Sequence, residues 1–226
     1  MTGVNLRKGD NVVIEEGVSL GNNITIYDNV TIKSGASIGD NVVLGYYEGD
    51  CPQDKTQICE NVKIRSGAVI YHGCIIGPES SIGHNCVLRE RTIIGRKTYL
   101  GNLTACEGDT TIGNHCGIHS QNHITKYCNI GDHTFIAPFF IGANDNAIAF
   151  HRQGHGQNMK GFSTGRGVRI AVGVTAVPGV HFGEGCVVGA GSLVTKDVPP
   201  YTLVMGRPAQ VVKQPQIDLY SEIIED

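Results

Sequence analysis

From Ile58 to Ile141 an aliphatic or near-aliphatic residue returns at every sixth position. The beat falls on Ile58, Ile64, Ile70, Ile76, Ile82, Leu88, Ile94, Leu100, Cys106, Ile112, Ile118, Ile124, Ile130 and Ile136. Four places after each beat stands a second, mostly small residue: Val62, Ala68, Cys74, Ser80, Cys86, Thr92, Thr98, Thr104, Thr110, Cys116, Asn122, Cys128, Thr134 and Phe140. A helical face would recur at about 3.6 residues and a half-buried strand at 2. A period of six with two inward positions instead predicts a coiled parallel β-solenoid, three hexapeptides closing each triangular coil.

An earlier tract keeps the same rule, with beats at Ile14, Leu20, Ile26, Ile32, Ile38 and Leu44 after a lead-in over residues 1–13. A later one runs through Thr164, Ile170, Ala176, Phe182, Val188 and Val194. Between beats, Gly-Asn-Asn, Asp-Asn, Ser-Gly and Gly-Asp-Asn supply residues that accept tight corners. Two insertions break the beat, at about 45–57 and 142–163. The first carries Tyr46 and Tyr47, a platform on which a ring would stack or a plain excursion. The second carries Asn144, Asp145, Asn146, His151, Arg152, His155 and Lys160 among glycines. Long loops inside a compact repeat are often functional, and this one reads as a lid or a bridge between subunits. The expected organisation is one solenoid domain over 1–214, with 215–226 leaving the repeat as a capping helix or tail built on Ile217, Leu219, Ile223 and Ile224.

The net charge of −3 and the absence of a basic run argue against a nucleic-acid surface. No stretch approaches the ~18 apolar residues of a spanning helix and no leader precedes the repeat, so a soluble cytoplasmic protein with no membrane partner is expected. Of the eight cysteines, Cys74, Cys86, Cys116, Cys128 and Cys186 fall on the small inward position and Cys106 on the beat. They read as core, with no CxxC pair for a metal. Cys51 and Cys59 fall outside that pattern.

Stacking places residues 18 apart on neighbouring coils, about 4.8 Å from each other. His123 then lies between Ala105 and Ile141, and His119 between Gly101 and Ala137. Small neighbours leave room at His123, and the second insertion leaves the solenoid just after Ile141, so His123, Ala105 and the loop root are expected to line one groove. Asn122, a polar residue in an inward column, is a site candidate or a corner amide satisfied by its own coil. His115 and His133 share a column and read as a surface ladder.

The run from Val187 to Pro200, VVGAGSLVTKDVPP, and the closing Met205-Gly206-Arg207-Pro208-Ala209 resemble the hexapeptide-repeat acyltransferases. That resemblance implies a left-handed parallel β-helix, a homotrimer, and acetyl-coenzyme A in a groove between subunits. The segment with Arg65-Ser66-Gly67, Gly83-His84-Asn85, Arg89-Glu90 and Gln121-Asn122-His123 is similar to N-acetyltransferases of nucleotide-linked (dTDP or UDP) amino sugars, enzymes of surface-polysaccharide biosynthesis. Ala143-Asn144-Asp145 stands where those relatives carry a Thr-Asn-Asp-like triplet; the Tyr-Pro that follows it there is replaced by the longer loop. The implied reaction is direct attack of an amine on the thioester, with no metal. His123 would serve as proton acceptor or as a binder of a hydroxyl, and Asp145 would orient or hold the amine or else belong to a neighbouring subunit's site. Tyr46, Tyr47, Arg89, Glu90, Asn122 and Asn144 are expected against the substrate, and Val172, Ala190, Thr195, Lys196, Arg207 and Lys213 against coenzyme A. The alternatives are an O-acetyltransferase acting on a sugar or serine hydroxyl, a zinc-dependent carbonic anhydrase of the same helix type, and a non-enzymatic scaffold.

Overall fold

The computed structural model describes residues 5–149, 153 and 158–213. Nearly every strand is two residues long, as a chain that must turn a corner every six residues requires. The strands stack into three parallel sheets of ten, nine and eleven strands, here faces A, B and C, visited in that order on each coil. Face A starts at Arg7–Lys8, face B at Val13–Ile14 and face C at Ser19–Leu20. Partners lie 18 residues apart through the regular stretch, as in Val87↔Ala105 and Leu88↔Cys106. The whole is a left-handed parallel β-helix of the hexapeptide-repeat type.

Both inward positions are buried along its length, from Val62 and Ile64 to Phe140. A small residue is needed at the second because it sits inside the corner. Where that residue bears a hydroxyl, it ties coils together: Ser80 Oγ donates to Gly95 O at 2.7 Å and accepts from Thr98 N at 2.9 Å. Thr98 Oγ1 repeats the pattern with Gly113 O and Cys116 N. Polar side chains are thus satisfied without leaving the core. Burial pushes the Cys74, Cys128 and Cys186 thiols up to about 12, so these cysteines act as packing groups. Cys59 is buried with them, and Cys51 is exposed.

The third residue after most beats adopts a left-handed backbone, as at Asn61 (φ 57°), Asn85 (φ 54°) and Gln121 (φ 61°). After glycine, asparagine tolerates this conformation best, which explains the frequency of both at the corners. Gly95 follows its beat directly, and a Cβ there would stand 2.5 Å from the Gly113 carbonyl carbon. Close approach of successive coils therefore demands glycine at that corner.

Three features differ from the sequence reading. The solenoid begins one hexapeptide before Ile14: Arg7–Lys8 already pairs with Thr25–Ile26. Lys8 holds the beat position but lies on the open end, where no coil below makes it a core position, so no aliphatic signal marks it. At the other end, Leu203–Gly206 pairs in parallel with Val187–Val188, but Ala209–Lys213 then returns antiparallel to it. The closing Gly-Arg-Pro is the turn of that hairpin, with a cis Arg207–Pro208 bond. The helix or tail expected over 215–226 lies outside the described residues. Finally, both insertions replace the same corner, from face A to face B, between Val43–Tyr46 and Thr56–Ile58 and again between Ile141–Gly142 and Ser163–Thr164.

Candidate functional site

On face A the residues flanking each beat point away from the core, which creates two parallel columns. One runs Val69, Val87, Ala105, His123, Ile141, Thr175, Leu193 in unbroken register. The other runs Tyr71, Arg89, Glu107, Thr125, Ala143. Along the second, Arg89 sits 5.7 Å over the Tyr71 ring, and its Nη1 lies 3.6 Å from Glu107 Oε2. His123 is half-buried in the first column, its amide donating to Phe140 O at 2.9 Å. Its neighbour towards the N-terminus is only a methyl group.

Asn122, one residue before, is 2% exposed. Its Nδ2 donates to His119 O at 2.8 Å and its Oδ1 accepts from Phe140 N at 2.7 Å. Its amide thus ties together the corner that leads into His123, with both polar ends bonded to the backbone. His119 lies across that corner on face C, edge-on to Tyr99 and Phe135. His115 and His133 stack at 5.0 Å on a third corner. The three histidines at 115, 119 and 123 therefore point in different directions.

The loop root falls elsewhere than the sequence reading placed it. Ile141 does stack on His123, but the insertion leaves from the opposite edge of face A, beyond Gly142. There Asp145 accepts from Ala147 N and Ala149 N, both at 2.8 Å, and those amides hold its carboxyl below the usual range. Asn144 closes the neck, its carbonyl accepting from Lys160 N at 2.8 Å and its Nδ2 lying 3.7 Å from Met159 Sδ. Within one chain, Asp145 and His123 are not brought together. His151, Arg152 and His155 lie outside the described residues.

The same edge carries a charged network. Lys126 Nζ reaches Glu90 Oε1 at 3.2 Å and Asp109 Oδ2 at 2.9 Å, and Arg91 grips Asp109 through Nε and Nη2 at 2.5 and 2.9 Å. The Arg91 and Lys126 partners hold Asp109 down to about 2 against the opposing effect of burial. Burial works against the Glu90 carboxylate too, but its own backbone amide, Lys126 and Arg89 outweigh it and keep it below the usual range. Arg89 and Glu90 were expected here; Arg91, Asp109 and Lys126 were not, although their spacings of 18 and 36 residues are legible once the coil length is known.

Among the positions expected against coenzyme A, Val172 and Ala190 are exposed and stack on the corner between faces C and A, where Gly191 N donates to Val172 O at 2.9 Å. Arg207 joins them, its Nε donating to Gly191 O at 2.8 Å. Thr195 and Lys196 are exposed at the opposite edge of face A. Lys213 ends the final strand.

Residues 55–90 match the family model described as bacterial transferase hexapeptide (six repeats). A putative acetyltransferase of Staphylococcus aureus strain COL is 41% identical over 80 residues, 35% of this chain and 40% of the relative. A putative acetyltransferase of Schizosaccharomyces pombe is 53% identical over 47 residues, 21% of this chain and 23% of the relative. The chain thus spans about two fifths of the length of the staphylococcal relative it matches. Among solved structures, UDP-N-acetylglucosamine O-acyltransferase of Moraxella catarrhalis superposes with a TM-score of 0.55 at 19% identity, covering 90% of this chain and 73% of that one. That likeness is one of fold. Residues 55–90 thus carry the hexapeptide repeat of the bacterial transferases, and the same six-residue period continues in register along all three faces.

Proposed function

We propose that the chain transfers acetyl from acetyl-coenzyme A to the amine of a nucleotide-linked amino sugar, on the outer surface of face A. The observation that carries this reading is the placement of His123 in a column with Ala105 below and Ile141, Thr175 and Leu193 above. From His123 to the Leu193 rung is three coils, about 14 Å at the spacing of β-strands, a span suited to an extended pantetheine arm. Val172 and Ala190 border that path, and Arg207, anchored on Gly191, stands at its far end for the phosphates. Exposed Ile141 and Val172 give the path apolar contacts for the arm. Coenzyme A supplies the activated thioester; the chain's residues align it with the acceptor.

The acceptor amine sits at His123, over the space left by Ala105, with the sugar ring towards Glu107. The amine nitrogen bonds to the thioester carbonyl carbon, and collapse of the tetrahedral adduct breaks the carbon–sulfur bond. His123 takes the proton released from nitrogen and returns it to the departing thiolate. Imidazole suits this exchange because it titrates closest to neutral pH of the side chains, and such a base contributes typically ~10²–10⁴-fold. Alignment supplies more than proton transfer does.

Asp145 is already bound by two loop amides, which fits a part in shaping the loop towards a neighbouring subunit's site. A homotrimer in the cytoplasm, its sites completed between subunits, accords with the loop's exit at the edge of face A away from His123.

Mass spectrometry of products from acetyl-coenzyme A and a panel of dTDP- and UDP-linked amino sugars tests the acceptor. One added acetyl on the amine, absent from the matching hydroxyl sugar, is expected. Acetylation of the hydroxyl sugar instead would establish O-acetyl transfer.

A further inference from the structure

The first insertion builds a second groove, at the edge between faces A and B and towards the N-terminus from His123. Two cavities meet there. One, of about 340 Å³, is lined by Tyr47, Glu48, Tyr71, His72, Arg89, Glu90 and Arg91. The other, of about 240 Å³, is lined by Arg7, Lys8, Tyr27, Asp28 and Tyr47 among others. Tyr47 forms the wall between them.

Tyr27, Tyr47 and Tyr71 line these cavities, and Tyr46 packs between Tyr27 and Tyr71. Tyr27 meets Tyr46 at 5.4 Å and Tyr47 at 5.3 Å, and Tyr46 meets Tyr71 at 4.9 Å, all edge to face. Two of them are fixed by carboxylates: Tyr47 OH donates to Asp28 Oδ2 at 2.6 Å and Tyr46 OH to Glu48 Oε1 at 2.9 Å. Aromatic walls held rigid in this way cost a ligand little ordering. His72 adds a buried Nδ1 without a hydrogen-bond partner, its closest carboxylate oxygen being Asp54 Oδ2 at 3.7 Å. A buried polar atom left so calls for a ligand or water to satisfy it.

Charge decides the class of ligand. Arg89 faces Glu90 and Glu107, and Arg91 faces Asp109 and Asp54. The upper cavity therefore offers no uncompensated cation to a pyrophosphate, which would have to break those pairs to bind. It offers instead carboxylate acceptors and guanidinium donors side by side, with tyrosine rings between. That set suits a molecule with apolar C–H faces and many hydroxyls. The groove extends over the coils of Tyr27, Tyr46, Tyr71 and Arg89, three steps of about 4.8 Å or ~14 Å in all, long enough for more than one sugar ring.

We infer that this tyrosine-lined groove is a saccharide subsite, taking a short neutral glycan of two or three pyranose rings, separate from the acetyl-transfer centre at His123. The inference does not rest on the acetyl-transfer reading, since it needs no turnover to be read.

Titration of the full chain with chitotriose, cellotriose and maltotriose, followed by the NMR signals of ring-labelled tyrosine, tests it. Saturable shifts with at least one trisaccharide are expected. Tyr47→Ala should weaken that binding by about tenfold or more. Tyr47→Phe, which keeps the ring, should retain it and guards against mere unfolding. Absence of shifts with all three sugars would overturn the inference, as would UDP or dTDP displacing the sugar from these tyrosines or Tyr47→Ala binding as the wild type does.

Discussion

Ala105 and His123 are register partners on adjacent coils of face A, so the imidazole overlooks a methyl group where most of the column carries larger side chains. Val87, one coil further, already closes the space again. Filling it should obstruct the acceptor without disturbing the core, because Ala105 points outward. Ala105→Phe is expected to lower kcat/KM by about 10²-fold or more, a misplacement cost, with the melting temperature unchanged within a few degrees. Steady-state kinetics and a thermal melt on the same sample check it.

Asn122 presents His123 by holding the corner beneath it. Asn122→Ala leaves Phe140 N and His119 O without these partners inside the core, at a cost of about 1–3 kcal/mol. A lower denaturation midpoint is expected, with faster amide exchange at Phe140. Retention of wild-type stability would show that the corner is held by other means.

Asp109 gives a pH dependence of definite sign. Its carboxyl is held at about 2 in the folded chain, below the ~3.9 of an unfolded aspartate. Its ionised form therefore stabilises the fold above the unfolded value, and that stabilisation is lost as pH falls towards about 2. After solvent screening it amounts to about 1 kcal/mol. Urea unfolding of the wild type and Asp109→Asn should differ above pH ~5 and converge in acid; equal stability at neutral pH would contradict the role given to the Arg91–Asp109–Lys126 network.

The repeat was legible in the sequence because each inward position sees the same environment on every coil, from Val62 to Phe140. Lys8 escaped it, for at an open end the beat position no longer lies in a core. His123 and its neighbours Ala105 and Ile141 were legible by adding and subtracting 18. The loop root was assigned to the same groove because sequence distance alone does not tell which edge of a face a loop leaves from. Arg91 and Lys126 went unnoticed for a related reason: their partners Asp109 and Glu90 are one and two coils away, and charged residues along a chain look like solvated surface until the coil is closed. Asn122 had two readings open, and its two backbone hydrogen bonds favour the corner amide.

The most direct test of acetyl transfer at His123 is thiol release from acetyl-coenzyme A with a nucleotide-linked amino sugar, compared between the wild type and His123→Ala. A fall in kcat of about 10²–10⁴-fold in the variant, with its fold and acetyl-coenzyme A affinity retained, is the expected result. A variant that releases thiol as fast as the wild type would contradict the account.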